Sequence, residues 1–182
     1  MERLILLEDV EAYRPTHAED ALAKKLILDF LATCEKPFGK TNISGHITAS
    51  ALVVNPTFDK VLLTHHFKLD KWLQFGGHSE VGESIRDGAL REAKEESGIQ
   101  SLKLYHHEIF DLDVHEIPEY KGLPAHFHYD IRFLILVDEK ATFTVSDESH
   151  DVKWIEIRRL SEYTDEISMH RMIKKIEMKL SI

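Results

Sequence analysis

Residues 76–99 read Gly76-Gly77-His78-Ser79-Glu80-Val81-Gly82-Glu83-Ser84-Ile85-Arg86-Asp87-Gly88-Ala89-Leu90-Arg91-Glu92-Ala93-Lys94-Glu95-Glu96-Ser97-Gly98-Ile99. The part from Ser84 to Ser97 predicts a helix. Ser84 is its N-cap, Asp87 sits at N3 near the positive end of the helix dipole, and Gly98 supplies the stop. At about 100° per residue, Glu95 lies about 60° to one side of Glu92 and Glu96 about 40° to the other. The three carboxylates therefore share one narrow face, where they repel one another. The opposite face, Ile85, Ala89 and Ala93, is small and apolar and suits docking on a sheet. A solvated acidic face would account for a lone Glu-Glu pair. Clustered carboxylates on a docked helix, shortly after a glycine-rich loop, match what a hard divalent cation requires, and loop carbonyls such as those of Gly76-Gly77 can complete its shell.

On the N-terminal side of this stretch, Ile47–Val54 reads as a buried strand ended by Asn55-Pro56, with Val61–Phe67 as its hairpin partner. Leu69–Lys71 turns into the short apolar piece Trp72-Leu73-Gln74-Phe75, and Gly76-Gly77 opens a loop. On the C-terminal side, strands are expected at about 103–116 and 126–137, then around Val152–Ile157, before a final helix near 165–180. Residues 1–44 read as a helical extension and 45–182 as the main domain. Pro15 and Thr16 separate a helix over about 2–13 from one over about 17–35, with Thr16-His17-Ala18-Glu19 as a capping box. Leu22, Leu26 and Phe30 form the apolar stripe of the second helix. Irregular alternation of strands and helices with local hairpins argues for the α/β (α+β) class, a mixed sheet sandwiched between helices.

The 182 residues carry 23 basic and 32 acidic side chains, a net charge of −9. Such a surface repels nucleic acid and anionic membranes, while divalent ions can still bridge it to a phosphate compound. The longest wholly apolar run, Phe133–Val137, is far short of a membrane span. Glu8 and Asp9 interrupt the Leu4–Leu7 run at once, so no signal-peptide core is expected. Cys34 is the sole cysteine, which excludes an intrachain disulfide and a cysteine zinc site and makes a reducing, cytoplasmic setting the default. A homodimer is left open.

Residues 77–99 resemble the signature of the Nudix hydrolase family. They fit Gly-x5-Glu-x7-Arg-Glu-U-x-Glu-Glu-x-Gly-U at every fixed position, U being aliphatic or small and apolar, and Gly76 and Glu80 fit the usual lead-in. Trp72-Leu73-Gln74-Phe75-Gly76-Gly77-His78 is similar to a bacterial branch with a Gly-Gly-His lead-in and N-terminal helices. The resemblance implies a Nudix-type α/β/α sandwich. It implies that Glu92, Glu95 and Glu96 bind Mg²⁺ or Mn²⁺ with the Gly76 carbonyl, and that Glu83 and Arg91 form an ion pair framing them. It also implies cleavage of the pyrophosphate in a nucleoside diphosphate linked to another moiety. Glu148 and His150 lie where some members place a remote base. The downstream proline of ADP-ribose-type members has no counterpart: His115 stands at its place and Pro118 lies beyond. A non-hydrolytic nucleotide sensor is an alternative, weakened by the intact glutamate set. An isopentenyl-diphosphate-isomerase-like enzyme would need an active-site cysteine, and Cys34 lies outside the core.

The chain has 12 histidines. His65 and His66 end a strand beside Lys68 and Lys71, as a phosphate clamp or a solvated strand end. His78 follows the glycines, in contact with substrate or metal water, or packing the loop. Asp111, Asp113 and His115 alternate along one strand, and His126, His128, Asp130 and Arg132 along the next. Period two puts each set on one face, opposite Phe110, Leu112 and Val114 and opposite Phe127, Tyr129, Ile131 and Phe133. A hairpin would converge the polar sets into a second, histidine-bound transition-metal site, a substrate-binding wall, or a wet sheet face.

Overall fold

Alternating β-branched and small residues build the long strand β1, Gly45–Val54, buried along its whole length. Around it the computed structural model describes residues 2–40, 42–119, 122 and 124–180. The elements are α1 (Glu2–Ala12), α2 (Ala18–Thr33), β1, β2 (Lys60–His66), β3 (Lys71–Leu73), β4 (Phe75–His78), α3 (Ile85–Ser97), β5 (Lys103–Leu104), β6 (Asp111–Ile117), β7 (His126–Leu136), β8 (Ser149–Glu156), a 3-10 segment (Ile157–Glu162) and α4 (Ile167–Leu180). The hydrogen-bonded order is β3-β2-β1-β7-β5, with β4 on β1, β6 on β7 and β8 on β2. Phe127 donates to the Ser44 carbonyl at 3.2 Å and Val137 to that of Val54 at 3.1 Å. The same offset at both ends makes β1 and β7 parallel, whereas β1–β2, β2–β3, β2–β8, β5–β7 and β6–β7 are antiparallel. The sheet is mixed, as expected. Among the described residues no helix is long and apolar enough to cross a membrane.

The chain forms two compact units. The first comprises residues 1–50, 76–89 and 107–133. In it α1 packs on α2, and α2 on β6. Arg3 donates to the Leu31 carbonyl at 2.6 Å, and Lys24 caps the end of α1 through Glu11 and Tyr13 carbonyls, both at 2.8 Å. The buried face of α2 is Ala23, Ile27 and Leu31, not the expected stripe: Leu22 and Leu26 are exposed. Asp20 shares that buried face, and this fixes the rotation. Its carboxylate accepts from Tyr13 Oη at 2.6 Å and from the amides of Thr16 and His17 at 3.2 and 2.8 Å. The cap is thus His17 with Asp20 at N3, one residue beyond the expected Thr16–Glu19 box, because Asp20 alone can serve the amides and the Tyr13 hydroxyl together. Phe30, from the expected stripe, stacks on Tyr129 with centroids 4.0 Å apart.

The second unit comprises residues 51–75, 90–106 and 134–182. Its core holds Ala51, Val53, Leu62, Phe75, Ala93, Ile99, Leu102, Ile135, Val137 and Val152, with Leu90, Phe143 and Trp154 packed against it. Ala93 carries the inward face of α3 into this core, as the small apolar pattern predicts. The strand expected over 103–116 is broken into β5 and β6, because the chain surfaces at Tyr105–Glu108.

Candidate functional site

Helix α3 begins and ends as its sequence dictates. The Asp87 amide donates to Ser84 Oγ at 3.2 Å, and Ser84 Oγ returns a bond to the Asp87 carboxylate at 2.6 Å. Gly98 takes φ +73° and donates to the Lys94 carbonyl at 2.8 Å, the left-handed stop that favours glycine. Between these ends the helix presents Glu92, Glu95 and Glu96. Arg91 Nη1 bonds Glu92 at 2.9 Å and Glu95 at 3.2 Å. Burial pushes the Glu92 carboxyl up; the Arg91 hydrogen bond offsets this in part, and Glu95 and Glu148 push it further. Glu96 is buried to 9% exposure while the Glu95 side chain is 60% exposed, so the acidic face runs from interior to solvent. An acidic face under mutual strain, fed by side chains of graded burial, has the oxygen-rich donor chemistry that suits Mg²⁺ or Mn²⁺. Glu148 is exposed, and its carbonyl accepts from the Phe67 amide at 2.9 Å.

Gly76 and Gly77 do not open a loop: they lie within β4, paired with β1. A Cβ on Gly76 would come within 2.7 Å of Ser50 Cα, so the close approach of the two strands demands glycine there. Glu83 Oε2 accepts from the Glu80 amide at 3.4 Å and lies under Gly88, where a Cβ would meet it at 3.1 Å.

The end of β2 is tied up locally. His65 Nε2 meets Asp70 at 2.9 Å and its ring stacks on Trp72. His66 Nδ1 accepts from the amides of Lys68 and Leu69 at 3.2 and 3.3 Å, and burial holds its pKa below the usual value. His66 is therefore a neutral turn-forming residue, while Lys68 is exposed. His150 is exposed and its ring packs on Phe67 and His65. Cys34 follows α2 and accepts from Asn42 Nδ2 at 3.1 Å.

The polar hairpin forms in the expected register: Asp111 opposite Arg132, Asp113 opposite Asp130, and His115 opposite His128. Its burial differs from expectation. Asp111, Asp130 and Arg132 are in the interior, Arg132 at 2% exposure, whereas Phe127 of the supposed buried face is 44% exposed. Arg132 pairs with Asp130 at 2.7 Å, Asp113 at 3.0 Å and Asp111 at 3.3 Å. Thr48 and Ser50 of β1 donate to Asp130 at 2.9 and 2.8 Å. Asp130 is consequently an interior anchor, its oxygens engaged by Arg132, Thr48 and Ser50. Burial alone would push the Asp130 carboxyl up, but Arg132 and His115 outweigh it and hold it below the usual range.

Beyond this network lie five imidazoles. The His46 ring is 4.7 Å from His78, 4.9 Å from His128 and 5.2 Å from His126, and His115 is 5.5 Å from His128. The structure therefore brings His78, His115, His126 and His128 together and adds His46, which the sequence reading missed. A signal was there: His46, Thr48 and Ser50 alternate with Ile47, Ala49 and Ala51, a polar face on a strand read only as apolar.

The solved structures that share this fold include an Ap4A hydrolase binary complex from C. elegans, with TM-score 0.60 at 21% identity over 74% of this chain and 97% of that one. A probable DHNTP pyrophosphohydrolase from Lactococcus lactis subsp. cremoris is 35% identical over 104 residues, 56% of this chain and 60% of that protein, so the match spans under two thirds of its length. An asymmetrical bis(5'-nucleosyl)-tetraphosphatase from Caenorhabditis elegans is 28% identical over 66% of this chain and 84% of its own. A family model of the NUDIX domain matches residues 45–176, which takes in the acidic helix, the glycine-bearing strand and the polar hairpin, and the chain belongs to the NUDIX domain family.

Proposed function

We propose that the chain is a divalent-metal-dependent pyrophosphohydrolase, acting on a nucleoside diphosphate linked to another moiety or a related small diphosphate. The observation that carries this reading is the acidic face of α3, where Glu92 and Glu95 share the Arg91 Nη1 at 2.9 and 3.2 Å and Glu96 is buried on the same face. A bound divalent cation relieves the repulsion among such clustered carboxylates. Glu92, Glu95 and Glu96, with the Gly76 carbonyl, would hold Mg²⁺ or Mn²⁺. The bound ions would neutralise the anhydride oxygens and acidify water. Arg91 keeps Glu92 and Glu95 in place, Glu83 belongs to the same proposed frame, and Glu148 is the proposed remote base. The names of the two relatives, a pyrophosphohydrolase and a tetraphosphatase, support phosphoanhydride cleavage as the reaction class. In this reading residues 1–44 are an extension to the catalytic domain over 45–182.

A panel of nucleoside diphosphate derivatives, dinucleoside polyphosphates and pterin triphosphate, assayed with Mg²⁺ and with Mn²⁺, tests it. Turnover of at least one compound that stops on chelation is expected. Tight binding of one compound with no turnover of any would replace the hydrolase with a ligand sensor.

A further inference from the structure

We infer that His46, His78 and His128 form a second metal site, separate in chemistry from the glutamate face, which takes a Zn²⁺-class transition-metal ion. The ligand nitrogens of these three side chains, from β1, β4 and β7, all lie within 4.8 Å of one another. Donors around a tetrahedral zinc at 2.0–2.1 Å sit about 3.4 Å apart, so the three nitrogens lie at most about 1.4 Å wider than that spacing.

The second observation is what the buried nitrogens do without an ion. His46 is 3% exposed, and its Nε2 is buried with no hydrogen-bond partner. Buried His128 Nε2 has none either. A buried polar atom without a partner is costly, and an interior tolerates it where something else satisfies it. The other ring nitrogens explain the tautomers. His46 Nδ1 lies 3.3 Å from the Asn42 carbonyl and His126 Nδ1 lies 2.9 Å from the Pro124 carbonyl. A carbonyl can only accept, so Nδ1 carries the proton in both rings and Nε2 keeps its lone pair. His115 Nδ1 lies 3.1 Å from the Asp113 carboxylate, an arrangement that does the same. Backbone carbonyls and carboxylates behind imidazoles are the usual supports of metal-bound histidine.

Beneath the cluster, Asp111, Asp113 and Asp130 all reach Arg132, and this ion-pair network backs the strands that carry His115 and His128. Imidazole donors favour zinc, nickel, cobalt or copper over magnesium, and so the site would not compete with the glutamates for the same ion. The His126 ring packs beside the three, with its centroid 5.2 Å from those of both His46 and His128.

Zinc retention tests this with no assay of turnover. The full chain is stripped with a chelator, loaded with Zn²⁺ alone, desalted and analysed for metal. The same is done for the Glu92→Gln/Glu95→Gln/Glu96→Gln variant and for His78→Ala and His128→Gln. We expect about one zinc per chain in wild type and in the triple glutamine variant. Zinc affinity should fall by at least about tenfold in the histidine variants, and zinc should raise the melting temperature only where the histidines are intact. Because His78 is half-buried, its truncation decides the matter if His128→Gln does not fold. Wild type that retains no zinc, equal retention in wild type and His78→Ala, or loss confined to the glutamine variant each overturns the second site.

Discussion

Two groups in this molecule each combine three carboxylates with one arginine, and they do opposite things. Asp111, Asp113 and Asp130 surround Arg132, which is 2% exposed, and each carboxylate reaches the guanidinium directly. Glu92, Glu95 and Glu96 share α3 with Arg91, whose side chain is 25% exposed and whose Nη1 bonds both Glu92 and Glu95. The guanidinium fork of Arg132 is spent in three directions in the interior, and the group locks β6 to β7. Arg91 lies nearer the surface, and its partner Glu95 extends into solvent with its side chain 60% exposed. Formal charge alone does not distinguish a scaffold from a site. What distinguishes the two groups is how far the arginine and its acids are buried.

The comparison breaks first at Glu96. Glu96→Gln removes charge from the proposed metal shell and little packing. We expect kcat to fall about a thousandfold, roughly 4 kcal/mol in the barrier, with the urea midpoint nearly unchanged. Saturable Mg²⁺ or Mn²⁺ binding should vanish in step. Metal affinity equal to wild type would remove Glu96 from the shell. The opposite outcome is expected in the interior group. Asp130→Ala removes the shortest of the three Arg132 pairs, at 2.7 Å, and takes the acceptor from Thr48 and Ser50, and should cost about 3 kcal/mol of stability. Folded molecules should keep their KM. A raised KM without lost stability would return Asp130 to the substrate.

Arg91→Ala sharpens the contrast at smaller scale. The side chain is part-exposed, so its pairs with Glu92 and Glu95 should contribute at most about 1 kcal/mol to stability. Releasing the two glutamates should nonetheless lower kcat by about tenfold or more, a little over 1 kcal/mol. Stability loss near that of Asp130→Ala, measured by denaturant midpoint, would mean that Arg91 is an interior anchor as well.

Both groups could be found in the sequence, but only one could be understood from it. Helical period placed Glu92, Glu95 and Glu96 on one face, with Ala89 and Ala93 opposite, and the structure keeps both. Period two gave the hairpin register, down to Asp113 opposite Asp130. The burial of that face was not readable, because Asp and Arg are normally exposed and nothing local says that one guanidinium will satisfy three acids at once. His46 was hidden for the converse reason: a single imidazole in an apolar strand shows no partner until β4 and β7 arrive in space. Gly76 and Gly77 carried turn chemistry in sequence, yet their role is to let β4 approach Ser50.

The smallest effects concern α2, whose two apolar stripes lie side by side in sequence. Periodicity favours Leu22, Leu26 and Phe30 as readily as Ala23, Ile27 and Leu31, and it is Asp20, bonded to Tyr13 and the helix cap, that turns the second stripe inward. Phe30 still contributes through its stack on Tyr129, so Phe30→Leu, which keeps most of the apolar area, should cost about 1 kcal/mol without changing kcat. Leu26→Ser, on the exposed part of the stripe, should shift the midpoint by no more than about 0.5 kcal/mol. These two positions sit one helical turn apart, and Phe30 is covered by Tyr129 whereas Leu26 is exposed. If Leu26→Ser proved as costly as Phe30→Leu, and the cost grew with protein concentration, the outer stripe would be covered in solution by a second copy of the chain, and the rotation of α2 set by Asp20 would serve assembly as well as folding.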